Sequence, residues 1–151
     1  MAEATAEPTS QLTPLRNKSQ QFTSEERLEA EIEACMNKGQ HCFDMPLKVY
    51  DSPEGYGRQY IIPEVGRIDL LTVHADTKDF YVVELKKGVG DDEIVGQVSR
   101  YMGWIKDKLA TDGQNVYGII CTAQASERLK YAVKANPSVS LYNYEVSFKR
   151  V

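Results

Sequence analysis

From residue 23 onward the chain switches between two spacings of apolar residues, and the switches mark its elements. Leu28, Ile32, Cys35 and Met36 recur at helical spacing. Thr23 or Ser24 can cap this helix, Glu25 and Glu26 suit the positive end of its dipole, and Gly39 ends it. Leu47 and Val49 mark a short strand, and DSPEGYG (51–57) reads as a turn-rich link. Strand character then dominates through YIIP, RIDLLTV and FYVVELK, the last two joined across the polar stretch HADTKD as a hairpin. KKGVGDDE reads as a glycine-punctuated loop before a long helix from about Asp91 to Ala110. Ile94, Val98, Tyr101, Met102, Ile105 and Leu109 form the apolar face of that helix. NVYGIICT is almost wholly apolar, as a buried strand is. Ser126 to Ala135 reads as a third helix, stopped before Asn136-Pro137, and VSLYNYEVSF as a last strand. The order predicts an α/β fold, a mixed central sheet flanked by helices.

Residues 1–22 are rich in Ala, Ser, Thr, Gln and Pro and carry no apolar period, so a tail that does not fold is expected there, with one domain over 23–151. An apolar share of 42% is enough for a core. No stretch approaches the ~20 apolar residues of a membrane span, and no apolar signal segment opens the chain. Cys35, Cys42 and Cys121 are an odd, scattered set, which suits reduced thiols. Together these predict a cytoplasmic or nucleoid-associated protein that is not secreted and meets no membrane. The spacing of Cys35, His41 and Cys42 matches no common zinc pattern. A net charge of −4, from 18 basic and 22 acidic residues, argues mildly against a generally basic nucleic-acid binder. It does not exclude local basic patches beside a cluster of carboxylates.

The hairpin carries the chemistry. Strand side chains alternate between faces, so Glu84 and Lys86 share one face with Phe80 and Val82, while Tyr81, Val83 and Leu85 point to the other. A four-residue loop over 75–78 pairs His74 with Asp79, and stepping back along both strands sets Asp69 opposite Glu84. Directly opposed residues have Cβ atoms ~4.5–5.5 Å apart, and two carboxylates that close repel unless a positive charge lies between them. Hard oxygen donors favour Mg²⁺ or Mn²⁺. Asp69 and Glu84, with the backbone carbonyl of Leu85, are the expected metal ligands, and Lys86 is placed to orient a water or stabilise charge on a phosphate. A plain cross-strand salt bridge is the competing reading of these charges. Gln97 and Tyr101, four apart on one face of the next helix, weigh against it.

Asp69, Glu84-x-Lys86 and Gln97-x-x-x-Tyr101 together resemble the PD-(D/E)XK nuclease superfamily in its RecB-like form. Residues 66–110 resemble the catalytic domain of NucS (EndoMS) endonucleases, and the likeness extends more weakly over 24–148. It implies a restriction-endonuclease-like fold and a metal-dependent DNA endonuclease, structure-selective for single-stranded, branched or mismatched DNA in repair. It carries metal ligation onto Asp69 and Glu84, the catalytic lysine onto Lys86 and the helix glutamine onto Gln97. A further catalytic glutamate from the first helix falls on Glu29, with Glu33 one turn on as the alternative. Ile68 stands where the superfamily has proline. The N-terminal domain of NucS proteins, which dimerises and helps bind DNA, has no counterpart here, and YNYEVSFKRV holds no clear sliding-clamp motif. Substrate preference and a homodimer are therefore open.

Arg67, Lys87, Arg100, Tyr101 and Trp104 are the expected DNA surface, the cations through phosphate contacts and the rings through stacking on bases. Core packing is the competing reading for Trp104, and ordinary helix surface for Tyr101. Two other functions fit the residues: an inactive nuclease-fold module that binds nucleic acid, and an RNase or defence nuclease.

Overall fold

A computed structural model describes residues 24–145 and Arg150. The expected tail, Thr23 as a cap and the end of the last strand lie outside the described residues. In chain order the elements are α1 (Ser24–Asn37), β1 (Leu47–Val49), β2 (Asp51–Ser52), β3 (Gly55–Tyr56), β4 (Arg58–Ile62), β5 (Gly66–His74), β6 (Phe80–Gly90), α2 (Glu93–Lys108), β7 (Val116–Ala125), α3 (Glu127–Lys134) and β8 (Val139–Asn143). The main sheet runs β1-β5-β6-β7-β8, with β4 also paired to β5. β1, β4 and β6 pair antiparallel with β5, while β6, β7 and β8 run parallel and are linked through α2 and α3. This is the expected mixed sheet between helices.

The hairpin keeps the expected register, from Val73 opposite Phe80 to Leu70 opposite Val83, closed by the His74 N–H donating to the Asp79 carbonyl at 2.9 Å. Alternation along β6 divides the interior in two. Phe80 and Val82 pack with Ile94, Val98, Tyr101, Ile105 and Leu129 on the α2–α3 side, and Val83 and Leu85 pack with Ile32, Met36 and Phe43 on the α1 side. Every expected apolar position of α2 lies against the first core, with Met102 and Leu109 only partly buried.

Two expectations need correction. The KKGVG part of KKGVGDDE is strand rather than loop: β6 continues to Gly90, pairing Val89 with Gln124 and Gly90 with Ala125 after an irregularity between Lys86 and Val89, and only Asp91 and Asp92 separate it from α2. The parallel neighbour β7 supplies backbone partners that glycine content alone does not reveal. The link over 51–57 holds a small hairpin of β2 and β3. The third helix runs as expected, with the Leu129 N–H donating to the Ser126 cap at 3.0 Å. Among the described residues no helix is long and apolar enough to cross a membrane.

β7 and α2 meet closely at Gly118, where an added Cβ would lie 2.5 Å from Val98 Cγ1 and 2.9 Å from Met102 Sδ. Gly118→Ala should therefore lower stability by about 1–3 kcal/mol through overpacking, read as a lower urea midpoint with an unchanged slope.

Candidate active site

The antiparallel ladder of β5 and β6 ends at Leu70 and Val83, one step before the two carboxylates. From there side chains take over from backbone partners. The Asp69 N–H donates to Glu84 Oε2 at 3.0 Å, and the Leu85 N–H donates to Asp69 Oδ2 at 2.8 Å. Each strand thus offers a backbone donor to the other strand's carboxylate. Asp69 is half-buried and Glu84 is only 4% exposed.

A paired kink aims Asp69 into solvent-accessible space. Ile68 and Leu71 face the α2 side but Leu70 faces the α1 side, so β5 changes phase at Asp69. Across from it, the Arg58–Leu70 and Tyr60–Ile68 pairings flank Gln59, which has a left-handed φ of 53°. A non-glycine residue in that region costs of order 1–3 kcal/mol. Consecutive residues on both strands consequently face α1. The cleft they form has a volume of about 840 Å³ and is lined by Glu25, Glu29 and Glu33 of α1, Arg58, Asp69 and Leu85 among others. Glu29, 4% exposed, accepts from Arg58 Nε at 2.7 Å and Gln59 Nε2 at 2.6 Å, and Arg58 Nη1 reaches Glu33 at 2.9 Å.

The electrostatics follow from this crowding. Burial raises the Asp69 carboxyl to about 6, against the hydrogen bond from Leu85; the charges of Glu29 and Glu25 raise it further and the Gln59 amide lowers it. Burial, then the charge of Asp69, raises Glu84 to about 8, against the Asp69 N–H bond and with added repulsion from Glu29 and Glu25. Arg58 is engaged by Glu29 and Glu33 rather than by the pair. Among the described residues no three His, Cys, Asp or Glu side chains are gathered as a ready-made metal cage. Two carboxylates are nevertheless the donor set that Mg²⁺ commonly takes, completed by waters and substrate oxygens.

The other expected residues divide. Leu85 lines the cleft beside Asp69. Lys86 is exposed two residues beyond Glu84. Arg67 is exposed and lines the cleft, and the Lys87 N–H donates to Glu25 Oε2 at 2.6 Å. Gln97 donates to the Tyr101 hydroxyl at 3.2 Å, and that hydroxyl accepts from the Arg67 N–H at 3.3 Å. No hydrogen bond joins Gln97 to Asp69 or Glu84. Tyr101 is 3% exposed, and Gly66 lies so close to its phenol that a side chain there has no room. Its ring packs under β5 and cannot stack on a base, which corrects its expected place on a DNA surface. Trp104 is half-buried, edge-on to Tyr60 at 6.5 Å, and Arg100 is exposed beside Tyr101.

Sequence reasoning missed Glu25, Arg58 and Gln59. For Glu25 a signal existed. Glu25, Glu29 and Glu33 repeat every fourth residue on one helix face, where like charges are mutually destabilising. Nothing in the sequence marks the left-handed backbone of Gln59.

No protein-family model matches the chain, and neither does any curated protein. Solved structures do. A repair endonuclease from Pyrococcus abyssi matches over 89% of this chain and 50% of its own, at 21% identity and a TM-score of 0.57. EndoMS in a complex with double-stranded DNA matches over 93% and 51%, at 16% identity and a TM-score of 0.59. EndoMS in its apo form matches over 82% and 47%, at 16% identity and 0.59. The chain has the fold of these endonucleases. At such identities the likeness is one of fold, and the chain spans about half the length of each of these nuclease-fold structures.

Both carboxyls hold protons more tightly when folded than at their ordinary 3.8 and 4.5. Their contribution to stability is complete below about pH 4 and is lost as pH rises through about 6 and then about 8. In metal-free buffer the urea midpoint should fall from pH 5 to pH 8.5, and Glu84→Gln should flatten most of that slope. A parent midpoint that rises over this range would contradict the assignment.

Proposed function

We propose that this chain is a nuclease that hydrolyses DNA phosphodiester bonds with a divalent cation, Mg²⁺ or Mn²⁺, held by Asp69 and Glu84 with the Leu85 carbonyl. The observation that carries the reading is the carboxylate pair, each member tied to the other's strand, with Asp69 lining an open cleft and Glu84 buried next to it. A cation bound there supplies Lewis-acid polarisation of the phosphate and a water of lowered pKa. The chain's own residues do the rest. The two backbone N–H groups hold the carboxylates in place, and the exposed ammonium of Lys86 stabilises charge on the phosphate or orients the attacking water. Arg67, Lys87 and Arg100 contribute phosphate contacts.

The wall of the cleft favours this over a binding module that works without metal. Glu25, Glu26, Glu29 and Glu33 all line it, and a polyanion approaching four carboxylates is repelled unless cations intervene. The fold shared with a repair endonuclease and with EndoMS, one structure of which contains double-stranded DNA, supports DNA as the substrate. Selectivity for single-stranded, branched or mismatched DNA in repair is part of the same proposal and rests on the sequence resemblance of residues 66–110.

Purified protein with Mn²⁺ or Mg²⁺ should cut at least one of these DNA forms faster than matched RNA, and EDTA should abolish cutting. Glu84→Ala should slow cleavage roughly 1,000-fold, the several kcal/mol that Lewis-acid stabilisation provides, with the fold retained by circular dichroism. A Glu84→Ala protein that cuts as fast as its parent would show the site to be elsewhere, and faster cutting of RNA would reassign the substrate.

A further inference from the structure

Arg58 and Gln59 are neighbours on one strand, yet both side chains reach α1 and meet on the same carboxylate. In a regular strand consecutive side chains point to opposite faces. The left-handed backbone of Gln59 breaks that alternation. Arg58 Nε then binds Glu29 Oε1 at 2.7 Å while Gln59 Nε2 binds Glu29 Oε2 at 2.6 Å, so both oxygens of a carboxylate that is 4% exposed accept short bonds from protein donors. Arg58 Nη1 extends the grip to Glu33 at 2.9 Å. The kink that turns Gln59 toward α1 is the one that turns Asp69 toward the cleft, since the two residues stand opposite each other between intact pairings.

We propose that Arg58 and Gln59 are positioning residues of the site: they hold Glu29 as an outer carboxylate that does not ligate the cation, and they aim Asp69 by docking its kinked strand against α1. This rests on the reading of Asp69 and Glu84 as the cation-binding pair. Three observations support it. Glu29 already has a donor on each oxygen. Arg58 offsets the charges of Glu29 and Glu33, which lets α1 lie beside the buried pair without adding its full repulsion. The left-handed backbone of Gln59 stands directly opposite Asp69, so the residue that turns toward α1 is the one across from the ligating carboxylate. Groups that orient ligating carboxylates without touching the metal typically account for a ten- to hundred-fold range in affinity.

Calorimetric titration of Mn²⁺ into the full chain tests this without reference to activity. The parent should bind one Mn²⁺, and Glu84→Gln none. Glu29→Gln should still bind one Mn²⁺, weakened roughly 10- to 100-fold. Gln59→Gly relieves the backbone while removing the amide, and it should weaken Mn²⁺ by a similar factor with a urea midpoint close to the parent's. Arg58→Lys, which keeps the charge but loses the forked geometry, should do the same. Glu64→Gly, at a second left-handed residue (φ 66°) in the turn after β4, should leave affinity unchanged. Loss of all Mn²⁺ binding in Glu29→Gln would make Glu29 a ligand and overturn the proposal, as would parent-like affinity in both Gln59→Gly and Arg58→Lys. A parent that binds no Mn²⁺ would instead refute the cation-binding pair itself.

Discussion

Two like charges brought together out of water at the end of a hairpin are the constraint around which this molecule is organised. Asp69 and Glu84 would be costly neighbours in any interior, since burial disfavours the charged form and each charge disfavours the other. Their protons are held more tightly for those two reasons, with desolvation the larger. What makes the arrangement tenable is the exchange of backbone donors, Asp69 N–H to Glu84 and Leu85 N–H to Asp69, made where the ladder between the strands stops. An N–H that would otherwise pair with a carbonyl is given to a carboxyl oxygen, so neither backbone donor is left unpaired where the ladder stops.

The rest of the fold holds that exchange in place. The α2–α3 core fixes β6 and the start of β5 from one side, with Tyr101 wedged under Gly66 and Arg67. The α1 core fixes the other side through Leu70, Val83 and Leu85, the neighbours of the pair. Between the cores, the kink at Gln59 and Asp69 decides which layer Asp69 belongs to. Without it Leu70 would share the α2-side face of Ile68, and Asp69 and Leu70 could not both face α1. The Gln97–Tyr101 pair belongs to this support. Its hydroxyl and amide steady the start of β5 two residues from Asp69 and do not extend to the carboxylates.

Much of this was legible in the residues because it depends on strict periods. A four-residue loop and period-two alternation were enough to place Asp69 against Glu84 and to divide Phe80 and Val82 from Val83 and Leu85. What was not legible depends on broken periods. The extension of β6 through Lys87 and Gly88 depends on pairing with β7, some 35 residues away, and glycines there read locally as a loop. The left-handed Gln59 has no compositional mark at all, so Arg58 and Gln59 escaped notice while their acceptor, Glu29, did not. The spacing of Tyr101 fits both an apolar helix face and a site residue, and its burial makes it a support under β5.

Crystals grown with Mn²⁺ and measured near its absorption edge test the carboxylate pair most directly. The pair predicts a single anomalous peak with oxygens of Asp69 and Glu84 about 2.0–2.3 Å away and with Glu29 still bonded to Arg58 and Gln59. A crystal saturated with Mn²⁺ that shows no peak between Asp69 and Glu84, or a peak only along the glutamates of α1, would contradict it.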